Sequence, residues 1–188
     1  MNRSHMGRRN RQRGYEYEHW LEKNLYKFGF TETKKQPLSG ALDRPEFKGD
    51  VPATFNTDDG HIYKFLFSAK RTSKWSINFA TEWITEIVSQ AEAIERIPGV
   101  MFALEGRPRI RNYIVIPEYH FIGIVGNTNN IIVSEMKNRG KKYITMKKAD
   151  LERELYDNQF DLPMALRFDG PEGKYNLLFT LEDFVSVI

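Results

Sequence analysis

The stretch from Lys48 to Lys70 constrains the fold more than any other. It reads Lys48-Gly49-Asp50-Val51, then an apolar-rich run, then Asp58-Asp59-Gly60, then His61 to Lys70. A tight hairpin needs positive φ, which Gly supplies and Asp tolerates, so Asp59-Gly60 predicts a hairpin turn. Tyr63 to Lys70 is strand-like in its aromatic content. Side chains two apart on a strand share a face, so Ser68 and Lys70 project together. If Asp50 begins the partner strand, it faces the same end. An Asp and a Lys brought together across a hairpin suit metal-dependent phosphodiester cleavage. The carboxylate holds a divalent cation, and the ammonium positions the attacking water or steadies the developing negative charge.

This layout resembles the PD-(D/E)xK nuclease superfamily. Its pattern is an Asp at the start of one strand, Glu-x-Lys at the end of the next, and a Glu on a preceding helix. Asp50 matches the Asp and Lys70 the Lys, while Ser68 stands where the Glu is expected. A second motif points to one branch. Arg11-Gln12-Arg13-Gly14-Tyr15-Glu16-Tyr17-Glu18-His19-Trp20-Leu21 resembles the first motif of archaeal-type Holliday junction resolvases. There a basic-Gly segment precedes a helix, and a Glu four residues after the Gly belongs to the metal site. Glu18 stands at that distance from Gly14, with Glu16 as its competitor. The plainer reading of Glu18 is a solvated helix acid. Glu46-Phe47-Lys48 is literally Glu-x-Lys, but Asp43 is too close for two paired strands, and Pro45 breaks the pattern.

The resemblance implies an α/β fold: a restriction-endonuclease-like core, with a mixed central sheet flanked by helices, and a C-terminal elaboration. It covers roughly the first 120 residues. The expected organisation is a cloning remnant over 1–6, a basic N-terminal arm over 7–14, the nuclease core over 15–120, and a β-rich elaboration over 121–188 on the same domain. The implied catalytic set is Glu18, Asp50, Ser68 and Lys70. Glu18 and Asp50 would hold Mg²⁺, with Mn²⁺ as a substitute. The implied partner is branched DNA, bound by a homodimer inside the cell during recombination and repair. Junction resolution comes from the resemblance alone.

Charge supports a nucleic-acid partner at one end. Arg3, Arg8, Arg9, Arg11 and Arg13 lie within the first 15 residues, which hold no acid. The rest of the chain carries 23 basic and 25 acidic residues, so the basic excess is N-terminal. Arg11 and Arg13 abut the first helix and are candidate phosphate contacts. An Arg-rich terminus is otherwise a solvated tail. Arg71 and Lys74 beside Lys70 form a second basic cluster, with hydroxyl donors and Trp75 nearby. Ser39, in the turn-rich run Gln36 to Ala41, is a candidate DNA contact in a loop that can equally be a plain turn. Arg107, Arg109 and Arg111 alternate, and Lys137 to Lys142 is a basic turn. With no Cys, disulfides and thiolate metal sites are excluded. No apolar run reaches membrane-span length, and no signal peptide is expected. A Gly-rich phosphate loop, a His pair at metal spacing and a serine elbow are all missing.

Periodicity sets the remaining elements. Tyr17, Trp20, Leu21, Leu25 and Phe28 predict a helix from about Tyr15 to Phe28, closed by Gly29. A short strand is expected over Phe30 to Pro37. Trp83, Ile84, Ile87, Val88, Ala91 and Ile94 predict a long helix from about Ala80 to Ile97, closed by Pro98-Gly99, then a strand from Val100 to Leu104. Tyr113 to Ile116, Phe121 to Val125 and Ile131 to Val133 are strand-like. Ala149 to Leu155 and Leu181 to Val187 are expected helices, with a turn at 170–173 between two strands.

Ser68 departs from the pattern. A hard cation prefers carboxylates, water and phosphate oxygens, and Ser supplies neither the charge nor a strong ligand. Three readings remain. The acid comes from the following helix, where Glu82 or Glu86 can reach in; a laboratory Glu→Ser change has inactivated the enzyme; or the protein is a non-catalytic DNA-binding relative. A further alternative is another nuclease on this fold, of restriction or nicking type.

Overall fold

The longest strand decides the layering. In a computed structural model, which describes residues 3–33, 51–73, 75–104, 111–136, 145–146, 148–156 and 162–188, β3 runs from Ile62 to Thr72. Its side chains alternate between two buried cores, as a strand covered on both faces must. Phe65, Phe67 and Ala69 enter one core, and Leu66 enters the other.

The first core is roofed by α1 (Arg3–Asn24), through Tyr17 and Leu21. A short 3₁₀ turn (Leu25–Phe28) ends at Gly29, whose φ of 84° closes it as expected. The helix starts well before Tyr15, so the expected remnant and basic arm continue it from Arg3 onward. A two-residue strand, β1 (Phe30–Thr31), follows and pairs antiparallel with β2 (Val51–Asn56). The rest of the expected 30–37 strand lies outside the described residues.

β2 pairs antiparallel with β3, with Val51 opposite Phe67 and Asn56 opposite Ile62. The hairpin is present, but its connection spans 57–61 rather than two residues. Gly60 takes φ 88°, Asp59 does not take positive φ, and the Thr57 hydroxyl donates to the Asp59 carboxylate. β4 (Trp75–Ser76) pairs with β8 (Thr145–Met146) in a separate two-stranded ladder.

α2 spans Ile77–Glu92, so it starts and stops earlier than the sequence suggests. Ser76 caps it by accepting from the Phe79 N–H, which moves the start forward. Its end is a local left-handed turn at Glu95, φ 54°, with one tertiary bond beside it. Arg96 N–H bonds Ala91 O, and the Arg96 guanidinium donates to the Phe65 carbonyl at 3.1 Å. Pro98 and Gly99 then sit inside β5 (Ile97–Leu104), which pairs in parallel with β3. Within the expected stripe, Ile84, Ile87 and Ala91 are buried in the second core, and Trp83, Val88 and Ile94 pack against it.

β6 (Arg111–Pro117) extends the sheet antiparallel to β5. The next segment corrects a strand expectation, because Phe121 to Val125 belongs to α3 (Glu118–Val125). Pro117 presets the entry, Glu118 sits in the first turn, and Phe121 packs on Phe179 at 5.0 Å between ring centroids. β7 (Ile132–Glu135), α4 (Lys148–Tyr156), β9 (Met164–Asp169), β10 (Tyr175–Thr180) and α5 (Leu181–Val187) complete the chain. Among the described residues the main sheet has the order β1-β2-β3-β5-β6-β10-β9-β7. Helices α1, α3 and α5 contribute to one face, and α2 and α4 to the other. The result is a mixed α/β fold with one sheet running from the N-terminal to the C-terminal part. No described helix is long and apolar enough to cross a membrane.

Candidate active site

The C-terminal end of β3 carries two successive cations, Lys70 and Arg71, and alternation sends them to opposite faces. Each meets a carboxylate from a different helix. Lys70 Nζ lies 3.8 Å from Glu86 Oε2 on α2. Arg71 Nη1 lies 3.3 Å from Glu16 Oε2 on α1. The Lys70 side chain is 27% exposed and that of Glu86 61%. This carboxylate is therefore open to solvent beside a largely sheltered ammonium.

Ser68 shares the Lys70 face and is only 5% exposed. It pairs across to Val100, as Lys70 does to Phe102. Ser68 and Lys70 are thus brought to one face of one strand end, with Glu86 of α2 reaching the same ammonium. Glu82, exposed, lies one helical turn before Glu86. Val51, which follows Asp50 in the chain, pairs with Phe67, next to Ser68. Asp50 itself lies outside the described residues, as do Ser39, Lys74, the Arg107 and Arg109 positions and the 137–142 turn.

Glu18 is half-buried on α1, one residue after Tyr17. Tyr17 packs in the core that contains Phe67 and Ala69, so this helix covers the β3 face opposite Ser68 and Lys70. Arg11 and Arg13 are on the same helix, and their side chains lie outside the described residues. Among the described residues, no group of three or more His, Asp or Glu is placed to hold a metal ion.

Sequence reasoning missed one feature beside Arg71. Glu16, Tyr17, Trp20, Arg71, Ala103 and Asn112 line a cavity of about 200 Å³. The Tyr17 and Trp20 rings stack at 6.0 Å, and the Tyr17 hydroxyl donates to Asn112 Oδ1 at 3.1 Å. Burial, aided by Glu182, pushes the Tyr17 phenol well above its ordinary value, so it stays a neutral donor. Spacing reveals the Tyr17–Trp20 pair, since residues three apart neighbour each other on a helix. Nothing in the sequence pairs position 17 with position 112.

The chemistry available at the Lys70 face is an ammonium donor, a neutral hydroxyl at Ser68 and a carboxylate at Glu86. Carboxylate oxygens suit a hard divalent cation, and a hydroxyl is a weaker ligand. No protein-family model and no curated protein matches the chain. Among solved structures it is similar to Hjc from Archaeoglobus fulgidus, a Holliday junction resolvase from an archaeal hyperthermophile. The TM-score is 0.42 and the identity 17%, over 71% of this chain and 86% of that one. The likeness is too distant to carry an assignment.

Proposed function

We propose that the protein is a metal-dependent, structure-selective DNA endonuclease that resolves four-way junctions as a homodimer. The observation that carries this reading is the Lys70 face of β3. Lys70 and Ser68 lie together at the strand end, and α2 brings Glu86 within 3.8 Å of the Lys70 ammonium. The surrounding order α1-β1-β2-β3-β4-α2-β5, with β5 parallel to β3, suits this reading.

In this reading Asp50 and Glu86 would hold the cation, with Glu82, one turn before Glu86 on the same helix, as a further ligand candidate. Glu86 supplies the negative charge that Ser68 does not. Mg²⁺, when bound, supplies Lewis-acid stabilisation of the phosphoryl oxygens. Lys70 holds the attacking water in line or steadies charge on the pentacoordinate phosphorus. Arg71, Lys74, Arg11 and Arg13 grip phosphates, which makes binding salt-sensitive. A two-fold dimer matches the two symmetric cuts that a four-way junction requires.

The test is cleavage of a labelled four-way junction and a matched linear duplex, with Mg²⁺ or Mn²⁺. The unsubstituted chain is run beside Asp50→Ala, Glu86→Gln, Lys70→Met and Ser68→Glu. The expected result is cutting of the junction over the duplex, lowered by about 10²-fold or more in Asp50→Ala and Lys70→Met. A comparable loss in Glu86→Gln assigns the displaced acid to α2. Cutting by Ser68→Glu alone identifies a chain inactivated at position 68. The second reading, a non-catalytic DNA-binding module, is favoured by the buried neutral Ser68. It gains if no variant cuts while the junction still binds. Absence of both cutting and branched-DNA preference in every variant removes the resolvase reading.

A further inference from the structure

Three strands set a small residue between two polar ones beneath α1. Arg71 of β3 stands opposite Ala103 of β5, and Ala103 stands opposite Asn112 of β6. Residues in register across a sheet share a face, so the Ala103 methyl leaves a hollow between Arg71 and Asn112. Glu16, Tyr17 and Trp20 of α1 complete it as the cavity of about 200 Å³. Tyr17 and Ala103 are buried, Trp20, Arg71 and Asn112 half-buried, and Glu16 exposed. The cavity thus grades from an uncharged floor to a charged mouth. It lies at the same strand end as Lys70, on the opposite face of the sheet.

Each lining group narrows what can enter. The Tyr17 and Trp20 rings stack within 9° of parallel, and Trp20 is the more exposed of the two. Tyr17 stays neutral and commits its hydroxyl to Asn112 Oδ1, so the group that Asn112 offers a ligand is its Nδ2 donor. At the mouth, Arg71 Nη1 meets Glu16 Oε2 at 3.3 Å, and Glu16 Oε1 accepts from Gln12 Nε2 at 3.3 Å. A guanidinium has five N–H donors and a carboxylate about four acceptor sites, so one bond between them exhausts neither. The mouth therefore sets a donor beside an acceptor with no net charge. An anion is attracted by Arg71 but opposed by Glu16, and a cation meets the reverse. A flat neutral ring with a donor next to an acceptor on its edge suits both the ion pair and the aromatic wall.

Nucleobases have that form. On its Watson–Crick edge each of the four carries an N–H donor next to an acceptor, and each has a face that stacks on an aromatic ring. An apolar cavity of about 150 Å³ accommodates a benzene ring, so one of about 200 Å³ takes a base while its sugar and phosphate stay outside. In a paired duplex that edge is occupied and the faces are stacked, so only an unpaired base enters. We propose that this cavity receives one unpaired base of DNA, stacked against Trp20, with its edge met by the Arg71–Glu16 pair and Asn112. Such a site selects structure rather than sequence. It gives Arg71 to the base and leaves the phosphates to Lys74, Arg11 and Arg13. The site rests on the DNA-binding part of the function proposed above and not on cleavage.

The experiment is fluorescence-anisotropy titration of the full chain with labelled DNA hairpins, in EDTA so that no strand is cut. The stem carries one unpaired adenine, cytosine, guanine or thymine, or an abasic site at the same position, which keeps the phosphates and removes only the base. Each unpaired base is expected to bind about tenfold tighter than the abasic site, with the four bases within about threefold of one another. Trp20→Leu, which keeps an apolar side chain, is expected to erase the difference. Glu16→Ala, at an exposed position, is expected to narrow it about threefold, with the circular dichroism of both variants unchanged. Equal binding of base and abasic hairpins overturns the proposal, while binding of a four-way junction in the same buffer leaves the DNA reading standing. Failure to bind any of these DNAs overturns both. Retention of the full difference in both variants also overturns the proposal, and if Trp20→Leu does not fold, Glu16→Ala decides alone. Binding of free deoxynucleoside monophosphates without preference for an unpaired base in DNA overturns the DNA assignment in favour of a free nucleotide.

Discussion

At residue scale, Ser68 is where sequence pattern and packing pull apart. A buried neutral hydroxyl costs little, whereas a carboxylate at the same place loses hydration unless a cation meets it. Lys70 on the same face offsets part of that loss. Ser68→Glu is therefore expected to cost about 1–3 kcal/mol in divalent-free buffer and to recover with Mg²⁺. Thermal melts with and without the ion test this. An unchanged melting temperature in both buffers would separate position 68 from any cation site. A second residue prediction concerns His120, whose ring lies 4.3 Å from that of Tyr119. Burial holds its imidazole below the ordinary 6.5, Glu92 opposes the shift, and Lys174 adds to it. The unfolded chain takes up a proton from pH ~6.5 downward, and the folded chain only at lower pH. The resulting stabilisation is full above that pH and is lost as pH falls through the folded value. His120→Asn should flatten the slope of stability against pH below ~6.5, read by urea melts at several pH values. An unaltered slope would mean that His120 does not carry it.

At element scale, Pro98-Gly99 shows how a local signal is overruled. The dipeptide has helix-stop chemistry, yet both residues lie in β5. Gly99 pairs with Phe67, and a Cβ there would approach the Phe67 ring to 2.8 Å. The glycine makes room for an aromatic ring in the first core rather than ending α2. Gly99→Ala must displace that ring and is expected to cost about 1–3 kcal/mol, as overpacking does. A chemical-denaturation midpoint equal to that of the unsubstituted chain would show that Phe67 yields freely. The α3 segment makes the same point in reverse. Phe121 to Val125 has strand-like composition, but Pro117 and Glu118 start a helix, and the Phe121 ring is held by Phe179 and Phe184.

At the scale of the whole molecule, the sheet does not pause where the compact nuclease resemblance ends. β10 pairs with β6, and Phe179, Leu181 and Phe184 share a core with Leu21 and Phe67. A chain cut after residue 120 would expose the β6 edge and strip apolar partners from both faces. Unpaired edges and exposed core surface favour aggregation. The 1–120 fragment is expected to be insoluble or to lack a cooperative thermal transition, measured by circular dichroism and gel filtration. A monomeric, cooperatively melting fragment would show that the C-terminal strands are dispensable for folding.

The sequence by itself determined what depends on near neighbours. The α1 stripe, the Gly29 stop, the β2–β3 hairpin and the shared face of Ser68 and Lys70 all follow from spacing and turn chemistry. It also held Glu86 as a candidate beside Lys70, because both fall on adjacent, strongly patterned elements. Only the tertiary structure decided what depends on partners distant in the chain. The Arg96 guanidinium, just past the end of α2, is held by the Phe65 carbonyl, and the helical state of 118–125 is accompanied by aromatic packing on Phe179 and Phe184. The pairing of Tyr17 with Asn112 joins residues 95 positions apart. Local periodicity carries no information about such encounters. They arise when the sheet order brings separate strands side by side and the cores choose their partners.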